Sequence, residues 1–314
     1  MYKAIAERRS VRKLYVEALV KRGDISVEEA EQALSDFQTK LQVALDETRS
    51  KVIEPHRAPK PPKPLGVLPH IPTGVERPVL DHIFNQLTAY PPNFTPHPKL
   101  MKQFEGRAKQ YETDRDVDWA TAEAMAFGSL LMEGHSVRLS GEDSRRGTFS
   151  QRHAALVDFE TGEPWIPLQS LDDAQGNFWV YDSLLSEYAA LGYEYGYSHS
   201  SPDSLVLWEA QFGDFVNGAQ IIIDQFITAS HTKWRQQSGV VLLLPHGYEH
   251  QGPEHSNARP ERFLQLCADN NMQVCYPTTP AQHFHLLRRQ VNPQRKFRKP
   301  LIVMTPKSLL RLPA

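Results

Sequence analysis

From about Trp119 to the end of the chain, short apolar runs rich in β-branched residues alternate with stretches of helical periodicity. The runs that predict strands are HSVRLSG (135–141), SLVLWEA (204–210), GVVLLLPHG (239–247), MQVCYP (272–277) and PLIVMTP (300–306). The helical patterns occupy 183–197, 214–229, 259–269 and 280–291. This alternation predicts an α/β fold, a parallel sheet covered by helices on both faces. Because such sheets bind ligands beyond the carboxyl ends of their strands, the residues after SLVLWEA and GVVLLLP are the first candidates for a site.

The first part of the chain has a different pattern. Residues 2–22 repeat apolar positions at roughly helical spacing, with Gly23 as a stop signal. Ser26 followed by Glu29 is a capping-box pattern that starts a second helix, so the two segments predict a helical hairpin. The proline-dense stretch 53–66 cannot sustain a helix or a central strand and predicts an extended linker. We therefore expect three regions: a helical hairpin over 1–50, a linker and connecting segment over 51–118, and the α/β domain over 119–314.

Composition narrows the classes of function. The chain has 35 basic and 37 acidic residues, a formal net charge of −2 and 40% hydrophobic residues, so neither nucleic acid nor a membrane is an expected partner. No apolar run approaches the roughly 20 residues that span a bilayer. Two cysteines, Cys267 and Cys275, are too few for a disulfide framework or a zinc ribbon, which favours a cytoplasmic location.

The loop PHGYEHQGPEHS (245–256) concentrates histidines and glutamates after a predicted strand. Histidine exchanges protons near neutral pH, so the loop is a candidate site, although a loop histidine is as often merely solvated. His246 and His250 also fit the zinc pattern H-x-x-E-H. That pattern requires a helix to bring both histidines to one face, and the flanking prolines and glycines oppose a helix here.

The helix predicted over 186–198 begins with Ser186 as its candidate cap and Glu187 in its first turn. An acidic residue there commonly does no more than complement the helix dipole. Small residues follow at Ala189, Gly192 and Gly196, a narrow face that another helix or backbone segment could approach. After the strand SLVLWEA come three side chains that either contact a planar ligand or fill the core, namely Gln211, Phe212 and Phe215.

Five longer runs resemble one enzyme family, and they occur in its order. They are GEDSRRGTFSQRH (141–153), LLSEYAALGYEYGYS (184–198), LVLWEAQFGDFVNGAQIIIDQFI (205–227), LLLPHGYEHQGPEHSNARPERFLQL (242–266) and IVMTPKSLLR (302–311). Residues 119–314 are similar to the transketolase-like pyrimidine-binding domain of the decarboxylating, thiamine-dependent component of 2-oxoglutarate dehydrogenase. Residues 1–118 resemble the preceding segment of that family, and the hairpin is most similar to the actinobacterial form.

The resemblance implies a function and a site. The family carries out oxidative decarboxylation of 2-oxoglutarate and transfers the succinyl group to a lipoyl group, with thiamine diphosphate and Mg²⁺ as cofactors. Glu187 matches the glutamate that hydrogen-bonds the pyrimidine ring nitrogen, and Phe215 matches the aromatic ring stacked on it, with Gln211 nearby. His255 matches the histidine facing the substrate, and His246 is a weaker candidate. Arg145, Arg146 and His153 match the family string without an assigned role.

One departure from the family pattern limits these expectations. The family holds the diphosphate and Mg²⁺ through a G-D-G motif, which this sequence lacks. We therefore expect the diphosphate and metal ligands to lie outside this chain, in a homodimer partner or a complementary subunit, and a lipoyl-bearing acyltransferase as a further partner. The pattern suggests a fragment or split-gene product, inactive alone. The alternatives are a non-catalytic remnant acting as a dimerisation or regulatory module, and a zinc hydrolase resting on HGYEH.

Overall fold

A computed structural model describes residues 7–50, 70–113, 116–249, 252–292 and 298–312. The chain divides into two compact units, Met1–Pro62 and Lys63–Ala314. The predicted linker at 53–66 lies outside the described residues. None of the described helices combines the length and the apolar character needed to cross a bilayer.

The first unit contains two helices in the segments predicted to form a hairpin. Helix α1 spans Val11–Arg22 and ends at Gly23, whose φ of 80° is readily adopted by glycine. Helix α2 spans Val27–Ser50 and begins with the predicted capping box. The Ser26 backbone N–H donates to Glu29 Oε2 at 2.7 Å, and the Glu29 N–H donates to Ser26 Oγ at 3.0 Å. Among the described residues, this helix starts after Ser10, which caps it by accepting a hydrogen bond from the Lys13 N–H.

The second unit begins with three helices. Helix α3 spans Arg77–Gln86, α4 spans Pro98–Thr113 and α5 spans Trp119–Met132. Phe84 of α3 stacks on Tyr111 of α4 at a centroid distance of 4.3 Å, and Met125 of α5 belongs to the same buried cluster. The helices of the expected connecting segment therefore pack directly on a helix of the α/β region.

In the described part of this unit eight strands follow: β1 Val137–Gly141, β2 Leu156–Val157, β3 Pro164–Trp165, β4 Phe178–Asp182, β5 Leu205–Glu209, β6 Val241–His246, β7 Gln273–Cys275 and β8 Leu301–Pro306. Six of them form one sheet in the order β4-β1-β5-β6-β8-β7, and every pairing in it is parallel. The other two, β2 and β3, form a short antiparallel pair. The predicted parallel α/β fold is confirmed.

The remaining helices are α6 Glu187–Ser200, α7 Ser230–Trp234, α8 Pro260–Leu266, α9 Pro280–Val291 and α10 Lys307–Leu310. Between α6 and α7 lies a broken helix made of a 3-10 segment Gly213–Ala219, one α-turn Gln220–Ile222 and a π segment Ile223–Ile227. Side chains of α5 and α9 join the core on one face of the sheet. Those of α6, the broken helix and α8 join the core on the other face.

Three sequence predictions need correction. FWVYD was not predicted as a strand, because β4 is at the sheet edge and its last two residues are exposed. The helix predicted over 214–229 is the broken helix, which changes type twice. The helix predicted over 259–269 stops at Leu266, since Asp269 and Asn270 have positive φ.

The narrow face predicted on α6 is also only partly present. A Cβ at Gly192 would lie 3.3 Å from Ile222 Cδ1, so the broken helix does approach there. Gly196 has no atom within 4 Å of the corresponding position, and Ala189 is exposed. The close approach is therefore confined to one glycine.

Candidate functional site

The carboxyl ends of β1, β5, β6 and β8 meet at one edge of the sheet, because all four strands are parallel neighbours. The strands end at Gly141, Glu209, His246 and Pro306. The broken helix starts shortly after the end of β5, and the loop after β6 starts at the end of that strand. The predicted site residues on these two segments therefore lie at this edge of the sheet.

Glu187 is the first residue of α6, directly after its cap. The Ser186 hydroxyl accepts a hydrogen bond from the Ala189 N–H at 3.3 Å and so fixes the start of the helix. The Glu187 side chain lies against the broken helix, where a Cβ added to Gly218 would be 3.1 Å from Glu187 Oε2. Glycine at 218 therefore leaves the space in front of the carboxylate open.

A second carboxylate, Glu142, lies beside Glu187. Burial raises the pKa of Glu142, and the negative charges of Glu187 and Asp143 raise it further, with a hydrogen bond to Glu187 as an additional cause. Glu142 therefore keeps its proton more readily than an isolated glutamate does. Sequence reasoning assigned no role to Glu142, although it directly follows the strand HSVRLSG and the rule about strand ends would have identified it.

Gln211 lines the same cleft as the two glutamates. This narrow cleft is lined by Glu142, Ser183, Leu184, Glu187, Trp208, Glu209 and Gln211. Gln211 Nε2 donates to Asp143 Oδ2 at 3.0 Å, which orients the amide at the end of β5. The structure therefore brings Glu187 and Gln211 together, as the sequence predicted.

Phe215 and His255 belong to one aromatic cluster on the adjoining side. The Phe215 ring is 5.6 Å from the His255 ring and 5.9 Å from the Phe212 ring. The Phe212 ring is 4.3 Å from His255 and 5.6 Å from Phe149. Phe212 is thus the central ring of the cluster. Phe215 and His255 are both only partly buried, so a planar ligand can reach them.

His246 has different surroundings from His255. Its Nδ1 accepts a hydrogen bond from the Ala258 N–H at 3.1 Å, and burial lowers its pKa. Its ring neighbours are Tyr248 and Tyr276, at 6.2 and 5.9 Å. The imidazole is therefore neutral near pH 7 and carries its proton on Nε2.

The zinc pattern receives no support from this geometry. His246 ends a strand, and the described residues that follow it are not helical. His250 lies outside the described residues. Within the described part of the chain, no group of three or more His, Cys, Asp or Glu side chains is placed to hold a metal ion.

Beneath the cleft, a buried ion network fixes the end of β5. Arg152 donates to Glu123 Oε1 at 2.6 Å and to Glu209 Oε1 at 2.7 Å, and His283 Nε2 lies 3.1 Å from Glu123 Oε2. Burial opposes ionisation of Glu123, but Arg152 and His283 outweigh it and hold its pKa at about 2. Burial raises the pKa of Glu209 against the attraction of Arg152.

Comparison with known proteins defines the class. The family model "Transketolase, pyrimidine binding domain" matches residues 115–313. This range contains the whole sheet and the edge at which Glu187, Phe215 and His255 lie. The chain therefore belongs to the transketolase pyrimidine-binding domain family.

Individual relatives are similar over nearly the whole chain. It is 50% identical over 321 aligned residues to the "Multifunctional 2-oxoglutarate metabolism enzyme" of Mycobacterium sp. (strain JLS), covering 99% of this chain and 25% of that protein. It is 48% identical over 320 residues to the "2-oxoglutarate dehydrogenase E1 component" of Brucella anthropi, covering 99% of this chain and 32% of that protein. The chain thus spans a quarter to a third of the length of these relatives.

Proposed function

We propose that this chain supplies the pyrimidine-side half of the active site of a thiamine-diphosphate-dependent 2-oxoglutarate dehydrogenase. The observation that carries the proposal is the placement of Glu187. Its carboxylate is at a helix start, in a cleft shared with Gln211 and bordered by the broken helix that carries Phe215. The names of the relatives support 2-oxoglutarate as the substrate.

The residues present fit the pyrimidine ring of the cofactor. Glycine at 218 leaves space in front of the Glu187 carboxylate that a Cβ would fill. The half-buried ring of Phe215 offers a face for stacking, which typically contributes about 0.5–1.5 kcal/mol beyond area burial. Bound thiamine diphosphate would supply the nucleophilic carbon and the electron sink for decarboxylation.

Glu187 would hydrogen-bond the pyrimidine ring nitrogen and exchange a proton with it: the acid donates to the bare nitrogen, and the carboxylate left after transfer accepts from the N–H. Glu142 has a raised pKa, so it keeps its proton more readily and can donate a hydrogen bond to that carboxylate. That contact orients the Glu187 side chain. Gln211, fixed by Asp143, would contribute an amide dipole at the rim of the cleft.

His255 would face the substrate and exchange protons with it. Its ring is held by contact with Phe212 and Phe215, and its side chain is 28% exposed, so it remains accessible. His246 is the weaker candidate because its Nδ1 is engaged by the backbone of Ala258. Its neutral ring could still donate through Nε2.

The remaining parts of the active site belong to the proposal as well. The diphosphate and Mg²⁺ would be held by a complementary domain, contributed by a second copy or another subunit. A lipoyl-bearing acyltransferase would accept the succinyl group. A cytoplasmic location agrees with Cys267 and Cys275 lying outside any disulfide.

A chimeric enzyme tests this function. Residues 1–314 would replace the matching region of the Brucella anthropi E1 component, and 2-oxoglutarate-dependent turnover would be measured with the lipoyl partner. We expect activity that requires thiamine diphosphate and Mg²⁺ and that Glu187→Gln abolishes. A folded chimera that assembles without any decarboxylation would contradict the proposal and favour a non-catalytic dimerisation or regulatory module.

A further inference from the structure

His255 lies on a segment that has little regular structure of its own. It ends a single 3-10 turn, Pro253–His255, and the segment continues as an irregular chain to α8. A segment of this kind is ordered only by contacts with other elements. The position of the His255 ring therefore depends on what holds its backbone.

Asp214 holds this backbone from the broken helix. Its Oδ1 accepts hydrogen bonds from the Ser256 N–H at 3.1 Å and the Asn257 N–H at 2.9 Å. Asp214 is 6% exposed, and it directly precedes Phe215. The contact therefore ties the His255 segment to the element that carries the stacking ring.

Lys307 holds the same backbone from the other side. It is the first residue of α10, immediately after β8, and its Nζ donates to the His255 carbonyl oxygen at 2.8 Å. Lys307 is only 5% exposed, and burial lowers the pKa of its ammonium while the charges of Glu249 and Asp214 partly offset this. Its hydrogen bond therefore anchors the His255 carbonyl to the start of α10.

These two contacts meet on a single peptide group. The peptide between His255 and Ser256 has its carbonyl held by the Lys307 cation and its N–H held by the Asp214 anion. Because a peptide is planar, fixing both of its polar ends fixes its orientation and restricts the backbone torsion that aims the His255 side chain. The result is the close contact of the His255 ring with Phe212.

We propose that Lys307 and Asp214 are positioning residues, which clamp the His255–Ser256 peptide and thereby set the His255 imidazole against Phe212 and Phe215. This inference deepens the proposed function and rests on it for its catalytic meaning. The clamp itself is a property of the described structure that can be tested without activity.

The first experiment measures the His255 imidazole by NMR in the full chain, with its resonance assigned through His255→Gln. The neighbouring rings shift the His255 C–H resonances, so Lys307→Met and Asp214→Ala should each move them toward random-coil positions. Lys307→Arg, which keeps a charged donor, should restore much of the shift. Lys233→Met is the matched control, since Lys233 Nζ also donates to a backbone carbonyl, that of Gln225 at 3.1 Å, but at an exposed site.

The second experiment uses the chimeric enzyme. Lys307→Met should lower kcat about 10- to 100-fold, because a small misplacement of a reacting group has effects of that size. The KM for thiamine diphosphate should stay within about twofold, since the clamp leaves the cofactor contacts intact. Lys307→Arg should recover most of kcat.

The outcomes separate the two proposals. Unchanged His255 resonances in Lys307→Met and Asp214→Ala would overturn the clamp, whatever the activity. Shifted resonances together with an inactive parent chimera would support the clamp and contradict the proposed function. If Lys307→Met does not fold, Lys307→Gln is used instead. A smaller shift of the His255 resonances in Lys307→Gln would support the clamp, and no shift would overturn the proposal.

Discussion

Two pairs of glutamates in the α/β unit differ in burial and in the presence of a cation between them. Glu123 and Glu209 both bind the buried Arg152. Glu142 and Glu187 face each other in the cleft, and among the described residues no basic side chain donates a hydrogen bond to either of them. The pKa of Glu123 is accordingly lowered to about 2, whereas that of Glu142 is raised.

The difference separates a structural role from a chemical one. The buried pair shares the charge of Arg152, so it fixes the end of β5 under the cleft. In the cleft pair the charge of Glu187 contributes to the raised pKa of Glu142, which therefore keeps its proton more readily. Variants of the first pair should therefore change stability, and variants of the second should change turnover.

The largest effect is expected from Arg152→Met. The substitution leaves two buried carboxylates without their cation, which typically costs about 3–5 kcal/mol of unfolding free energy. Urea unfolding of the full chain measures the loss. Arg77→Met, which removes an exposed pair with Asp81, is the control and should cost about 1 kcal/mol or less. A comparable loss in both variants would remove the distinction between the buried and exposed pairs.

Glu187→Ala should leave stability unchanged and lower the turnover of the chimera about 100-fold or more, in the range of general acid–base catalysis. Affinity for thiamine diphosphate should fall by only about tenfold, the value of one hydrogen bond. Steady-state kinetics and calorimetric titration provide the two numbers. Glu160→Ala, at an exposed position, is the control. Near-normal turnover of Glu187→Ala would exclude Glu187 from the mechanism.

The acid sensitivity of folding should follow Glu123. Because its folded pKa of about 2 is below its ordinary value of 4.5, its stabilising contribution is present above pH 4.5 and is lost as pH falls toward 2. We expect a loss of about 2 kcal/mol, since the raised pKa of Glu209 acts in the opposite direction. Urea unfolding at pH 7, 5, 4 and 3 measures it. Glu123→Gln should flatten this dependence, and an unchanged slope would contradict the assignment.

The smallest effect is expected from Glu142→Gln. The pKa of the Glu142 carboxyl is higher in the folded protein than in the unfolded chain. This carboxyl therefore favours folding at pH values below its ordinary pKa and opposes folding as pH rises. The variant should therefore unfold at a slightly higher urea concentration at pH 7, with the difference vanishing near pH 4. In the chimera it should change the pH dependence of turnover, because a carboxyl with a raised pKa beside Glu187 is replaced by an amide that does not titrate. A less stable variant at pH 7 would contradict the sign.

The site was predictable where its members follow a local rule. Glu187 was predicted because a capping serine and a family motif mark the start of α6, and Gln211 because it follows an apolar strand. Glu142 obeys the same rule after β1, but the sequence does not show which carboxylate it faces. Its partner is 45 residues away in the chain, so only the parallel pairing of β1 with β4, the strand that leads into α6, brings the two together.

The amino-acid sequence by itself determined the class of fold, because strand and helix periodicities are local and their alternation permits few arrangements. It also determined the capping box at Ser26 and the strands β5, β6 and β8, which are buried and therefore continuously apolar. Only the tertiary structure decided that β4 pairs at the sheet edge, that the helix after β5 changes type, and that Lys307 and Asp214 meet on one peptide. These features depend on contacts between segments far apart in the chain, and no local pattern encodes them.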